Sequence, residues 1–310
     1  MVQHPPRHPR CAHSGLYVPL TVKLSIDEIH SFPIPIFSLD INVMHLELTG
    51  VTLVDFTDDC PNATSTDYSR MTAPTLEILF RTPSRVNALI DLPHSFVSRI
   101  KHLIIYDTDM TVWLANRIMT NTMNSLESLQ IRNILKERPT NWFECDFTLL
   151  RKLNHIEFYV ILGHRGTENF QLLASAALSS IIDFFTKNPT AARIRRFSIR
   201  FIRFWGTGPI PDWRPYLDNL AAISSWHEVD RILDGVRGST SMLAKFIVSL
   251  GLGLTQRDSQ RYLSEHPDDL EWRRSIDEMQ IAWQEKVHAI MPLASRWGVL
   301  VARNILDVET

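Results

Sequence analysis

The chain has 310 residues, 45% of them hydrophobic and 21% charged, and its 32 Lys and Arg against 34 Asp and Glu leave a net charge of -2. Those proportions exclude a disordered chain, and the charge balance gives no reason to expect nucleic acid or an anionic membrane as a partner. Cys11, Cys60 and Cys145 are odd in number and far apart, which argues against a disulfide framework and for a reducing compartment, cytoplasmic or nuclear. The opening MVQHPPRHPRCAHSG has no apolar core of the kind a signal peptide needs, and the apolar run from Met242 to Leu254 is too short to span a bilayer.

Residues 1–15 predict a disordered Pro-rich tail and residues 16–310 the folded part. Alternation predicts a first strand over Leu20–Ile26, a Pro-bearing extended loop through Ser31–Phe37, and strands at Val43–Val51, Leu76–Phe80 and Ile100–Tyr106. A helix over Val112–Thr122 carries Ala115, Ile118 and Met119 on one face. Strands follow around Leu129 and at Ile156–Ile161. A helix from Asn169 to Lys187 presents Phe170, Leu173, Ala177, Ile181 and Phe184 together, and a strand runs from Arg193 to Phe204. Residues 205–310 are expected to be less regular, either continuing the strands or forming a helical cap. They hold a helix after Asp212, a weak strand at Trp226–Leu233 and a helix from Ser239 or Ser241 to Leu250. A long helix after Asp268 or Asp269 carries the stripe Trp272, Ile276, Met279, Trp283, Val287 and Ile290, and the last strand is GVLVARN.

The strands share one pattern. Leu126, Leu129 and Ile131 stand at relative positions 1, 4 and 6. Leu153, Ile156 and Phe158 repeat them, as do Ile100, Leu103 and Ile105, Val43, Leu46 and Leu48, Ile194, Phe197 and Ile199, and more weakly Ala73, Leu76 and Ile78. Val22 is expected at position 4 of the first strand, and Val299 and Val301 at positions 4 and 6 of the last. L-x-x-L-x-L recurring after about 20–29 residues is the leucine-rich-repeat pattern. It predicts an α/β fold: an irregular right-handed solenoid with a parallel concave sheet and convex helices. Position 9, where regular repeats carry Asn, holds Val51, Ile134, Ile161 and Ile202 here, and only Asn304 fits.

With these repeats and the C-terminal block MPLASRWGVLVARN, the chain resembles the repeat portion of F-box/leucine-rich-repeat proteins of mushroom-forming fungi. The resemblance implies a substrate receptor of a cullin-RING ubiquitin ligase, with the repeats holding the target. No F-box-like helix pair is recognisable at the start of the sequence, so a cullin-RING adaptor is expected as a partner only if an F-box is supplied. A free-standing repeat scaffold is the alternative.

No constellation of catalytic residues stands out, and an enzyme is not expected. The chain lacks G-x-S-x-G, G-x-G-x-x-G, G-x-x-x-x-G-K-[ST] and H-E-x-x-H. His4, His8, Cys11 and His13 are metal-ligand types separated by prolines, Asp58, Asp59, Asp107 and Asp109 read as loop and turn caps, and Gly251-Leu252-Gly253 as a helix end; no metal or cofactor is expected. Arg193, Arg195, Arg196, Arg200 and Arg203 alternate with aromatic residues, which reads as a strand with one buried and one solvated side rather than a nucleic-acid platform. If positions 4 and 6 face the core, positions 3, 5 and 7 face outward. The expected binding surface for a protein partner is therefore Tyr106, Gln130, Arg132, His155, Glu157, Tyr159, Arg196 and Arg200 on the concave face.

Overall fold

The computed structural model describes residues 21–29, 32–54, 70–79, 90, 95–107, 111–133, 147–162, 170–204, 212–238, 243–253 and 270–305. Eleven strands are present among them: β1 (Thr21–Asp27), β2 (Phe32–Pro33), β3 (Val43–Thr49), β4 (Leu53–Val54), β5 (Thr75–Leu79), β6 (His102–Asp107), β7 (Ser128–Asn133), β8 (His155–Ile161), β9 (Arg196–Phe204), β10 (Lys245–Gly253) and β11 (Leu300–Ile305). Short β2 and β4 pair with each other, and the other nine form one sheet in which spatial order follows chain order. Every pairing in it is parallel. Parallel neighbours require a crossover between them, and helices supply several: α1 (Thr111–Asn121), α2 (Phe170–Lys187), α3 (Arg214–Ala221), α4 (Ser225–Gly238), α5 (Leu270–Ile290) and α6 (Pro292–Arg296).

The register explains why the apolar pattern recurs. Leu46, Leu76, Leu103, Leu129, Ile156, Phe197, Phe246 and Leu300 stand opposite one another across eight strands. Every member of that column is buried, and the column two residues on, from Leu48 to Ala302, is buried with it. Both belong to one core cluster with Ile118, Leu178 and Phe184 of the crossover helices. The starts of the strands are tied by a repeated backbone motif, in which two successive N–H groups donate to one carbonyl of the preceding unit. Lys101 and His102 donate to Pro74 O at 2.8 and 2.9 Å, Glu127 and Ser128 to Lys101 O at 2.8 and 2.9 Å, and Asn154 and His155 to Glu127 O at 3.1 and 3.2 Å. Arg195 and Arg196 repeat it on Asn154 O, and Ala244 and Lys245 on Arg195 O. Main-chain bonds thus hold the register in a chain whose position 9 has lost most of its Asn.

Several expectations need correction. Leu24, not Val22, lies opposite Leu46. Leu300 and Ala302, not Val299 and Val301, occupy the core columns of β11. The β11 slip is by one residue and exchanges the two faces, because side chains alternate with period two, whereas the β1 slip is by two residues and moves the column along the strand without changing its face. Trp226–Leu233 is not a strand. It lies within α4, where Trp226, Val229 and Leu233 are buried at helical spacing. The segment ending at Leu250 is not a helix. It is β10, and its Phe246, Val248 and Leu250 alternate into the core. Ile34–Ser38 is a turn of 3-10 helix rather than extended loop, with Ile34 and Phe37 buried. Trp213, not Asp212, stands at the N-cap of α3, but an Asp212 carboxylate oxygen still accepts a bond from Arg214 N at 3.1 Å.

The C-terminal part is fastened by a buried carboxylate. Asp230 of α4 is 3% exposed and accepts from Leu293 N at 3.0 Å and Ala294 N at 2.8 Å, capping the first turn of α6. Gly298 then ends α6 with φ +67, and Val299 N donates to Ala294 O while Gly298 N donates to Ser295 O. This is a Schellman stop, and its left-handed position favours glycine. It turns the chain into β11 in register with β10.

Candidate functional site

The alternate positions of the sheet, those facing away from the core columns, carry three rows of mostly polar side chains. Along the strand starts stand His45, Thr75, His102, Ser128, His155, Arg196 and Lys245. The middle row holds Glu47, Glu77, Ile104, Gln130, Glu157, Ser198 and Ile247. In the last row Tyr106, Arg132, Tyr159 and Arg200 are successive register partners on β6–β9. All eight residues expected on this face are brought onto it.

The last row is an alternating ladder of phenol and guanidinium. The Arg132 guanidinium carbon lies 5.3 Å from the ring centres of both Tyr106 and Tyr159, and that of Arg200 lies 4.4 Å from the Tyr159 centre. Neighbouring strands are spaced about 4.8 Å apart, so residues in one row meet directly, and the electron-rich ring faces attract the cations.

Glu77 anchors one end. Its carboxylate accepts from Tyr106 Oη at 2.7 Å and Arg132 Nη1 at 2.8 Å, while Arg132 Nη1 also reaches Tyr106 Oη at 2.6 Å. His45 Nε2 lies 3.0 Å from its other oxygen. Arg132 sits two strands away from Glu77, so its side chain must cross β6 to reach it. Burial alone would raise the Glu77 carboxyl, but the His45 contact, the Arg132 charge and the Tyr106 hydroxyl outweigh it and hold Glu77 down at about 2. Burial pushes the Tyr106 phenol up, against the pull of Arg132 and with the help of Glu77. At the other end Arg200 Nη2 meets Glu157 Oε1 at 3.2 Å.

Glu77 was absent from the expected site. Its signal was present, because it stands at position 5 between Leu76 and Ile78 as Glu157 stands between Ile156 and Phe158. Its strand matched the repeat only weakly, and pattern alone does not reveal that Arg132 reaches two strands to find it. Arg132 and Arg200 belong to the expected binding surface, and both guanidinium groups are engaged by carboxylates of the same face.

His155 Nδ1 lies 3.0 Å from Ser128 Oγ. Burial of the imidazole, with the charges of Arg196 and His102 beside it, lowers it to about 4. A histidine protonates near 6.5 when unfolded, so the unfolded chain takes up a proton that the folded chain refuses. Stability is therefore expected to fall as pH drops from 6.5 toward 4, and His155→Gln should flatten that slope in urea unfolding measured across the range. An unchanged slope would mean the imidazole titrates freely.

Toward β10 the face closes. Ser198, Ile247 and Ser249 are each 3% exposed or less, and Ile247 belongs to no part of the main core cluster. Gln130 Nε2, Arg132 Nε, His155 Nε2 and Ser198 Oγ are buried without a hydrogen-bond partner among the described residues. Buried polar atoms normally find protein or water partners, so this region retains bonding capacity. No group of three His, Cys, Asp or Glu able to hold a metal occurs among the described residues, and no described helix is long and apolar enough to cross a membrane. His4, His8, Cys11, His13, Asp58, Asp59 and Asp109 lie outside the described residues.

Fold and face define an α/β protein whose nine-stranded parallel sheet packs one side against helices and carries registered polar rows on the other. Comparison with protein-family models, curated proteins and solved structures returned no match.

Proposed function

We propose that this chain is a non-enzymatic recognition module, an irregular leucine-rich-repeat-like solenoid that holds a protein partner on the polar face of its sheet. The observation that carries this reading is the ladder Tyr106–Arg132–Tyr159–Arg200, backed by Glu77 and Glu157. It fixes side chains rich in hydrogen-bonding atoms at regular spacing on a rigid sheet, which lowers the ordering cost of association. Tyr and Arg are also the residue types that dominate binding energy at protein interfaces. The resemblance to F-box repeats supports the finer proposal of a ubiquitin-ligase substrate receptor acting in the cytoplasm or nucleus; a free-standing scaffold is the second reading.

Photo-crosslinking in cells tests both. A benzophenone amino acid at His102, exposed on the polar face, should capture a protein, while one at Leu172 or Ile281, exposed on the helices, should not. Equal capture from both sides would remove the polar face as the binding surface. Cullin-RING subunits among the captured complexes would favour the receptor over the scaffold.

A further inference from the structure

The cations of the polar face fall into two groups. Arg132 and Arg200 are paired internally, and Lys23 meets Glu47 at 3.0 Å. At the starts of β8–β10 the situation is different. Arg151, Lys152, Arg195, Arg196 and Lys245 are all exposed, and none forms an ion pair among the described residues. Arg196 and Lys245 are register partners, and Arg195 N and Arg196 N both bond Asn154 O, in the turn that holds Arg151 and Lys152. The neighbouring acid on this edge, Glu127, is already engaged by Lys101 at 3.3 Å. Three strands span only about 10 Å, so the unpaired cations are concentrated in a chain whose net charge is -2. Compensating acids sit elsewhere: Asp212, Asp218, Glu228, Asp277, Glu278 and Glu285 are exposed on or beside the helices.

We infer that the strand-start edge of β8–β10 binds an acidic, extended polypeptide segment of the partner, laid across the strands over Arg196 and Lys245. This deepens the recognition reading and rests on it. Unpaired exposed cations in register attract successive carboxylates at little desolvation cost and speed encounter. Single-stranded nucleic acid is disfavoured by the same strand. It would need aromatic faces for its bases, and of the aromatics that alternate with the arginines Phe197 and Phe201 are wholly buried in the core.

The test uses the full chain and fluorescence anisotropy with three probes: a labelled Asp/Glu-rich peptide, its Asn/Gln counterpart and a single-stranded oligonucleotide. The acidic peptide should bind, and binding should weaken with added salt. Arg196→Glu with Lys245→Glu should weaken it at least about tenfold. Arg231→Glu with Arg274→Glu makes the same charge change on the helices and should leave binding within about twofold. Both double variants change only exposed side chains, and thermal unfolding confirms that they fold. Equal loss in both, binding by the neutral peptide as strong as by the acidic one, tighter binding of the oligonucleotide, or no binding at all would each overturn the inference. A partner crosslinked at His102 that contacts this edge through a segment without acidic residues would also overturn it while leaving the recognition reading standing. Absence of any partner on the polar face would end both.

Discussion

Replacing Arg132 by methionine is expected to lower the unfolding free energy by about 3–5 kcal/mol at neutral pH, because it strands the buried Glu77 carboxylate. Glu77 is 3% exposed, and its charge is tolerated only because Arg132, Tyr106 and His45 converge on it. The loss should depend on pH in a defined direction. The Glu77 carboxyl is held at about 2, against an ordinary 4.5. A carboxyl lowered by folding contributes stability that is complete above its unfolded value and disappears as pH falls through the folded one. The window is thus pH 4.5 down to about 2, and the contribution is on the order of 3 kcal/mol. In the variant this contribution is missing, so its unfolding curve should converge on that of the natural chain as pH falls through the window. Removing both partners, with Glu77→Leu and Arg132→Met together, should recover much of the loss, since no charge remains buried alone. Urea unfolding of the three proteins at neutral and acid pH decides it. A penalty for Arg132→Met that is the same at both pH values would show that packing, not charge, holds this station.

Phe197→Ala is expected to cost about 3–5 kcal/mol, and Phe197→Leu under about 2. Phe197 is wholly buried at the meeting point of β8, β9, β10 and α2. Its ring centre lies 5.6 Å from that of Phe158, 5.7 Å from Phe184, 5.0 Å from Phe185 and 5.7 Å from Phe246, the last nearly parallel. Truncation removes one side of each of these contacts and leaves a void that rigid strands on three sides cannot fill. Phe184 and Phe185 come from α2, the helix of the crossover between β8 and β9. Denaturant unfolding measures the effect, and a loss below about 1 kcal/mol for the alanine variant would mean that the cluster is not tightly packed.

Leu103, Leu129 and Ile156 were readable from the chain because each sits in a short unit of nearly constant length, so one period exposes all three. Glu157, Tyr159 and Arg200 followed by alternation. Beyond β9 the units lengthen and the period gives no guide. Phe246 and Val248 are flanked by Ile247, itself buried, so the run looks apolar throughout and reads as helix as readily as strand. Trp226 and Val229 show the converse: a three-residue apolar spacing satisfies both the repeat pattern and a helix, and packing of α4 on α2 and α6 settles it as helix.

The amino-acid sequence by itself determined the α/β class, most of the strands, which side of β3 and of β5 to β9 faces the core, and the residues that share the polar face. It did so because burial imposes a period of two on every strand and the crossovers repeat that demand along the chain. Only the tertiary structure decided what those polar residues do to one another. Which carboxylate neutralises Arg132, which tyrosine lies between two guanidinium groups, and which cations are left unpaired at the starts of β8–β10 depend on distances across strands far apart in sequence. Electrostatic energy depends on separation and burial, neither of which a linear pattern contains.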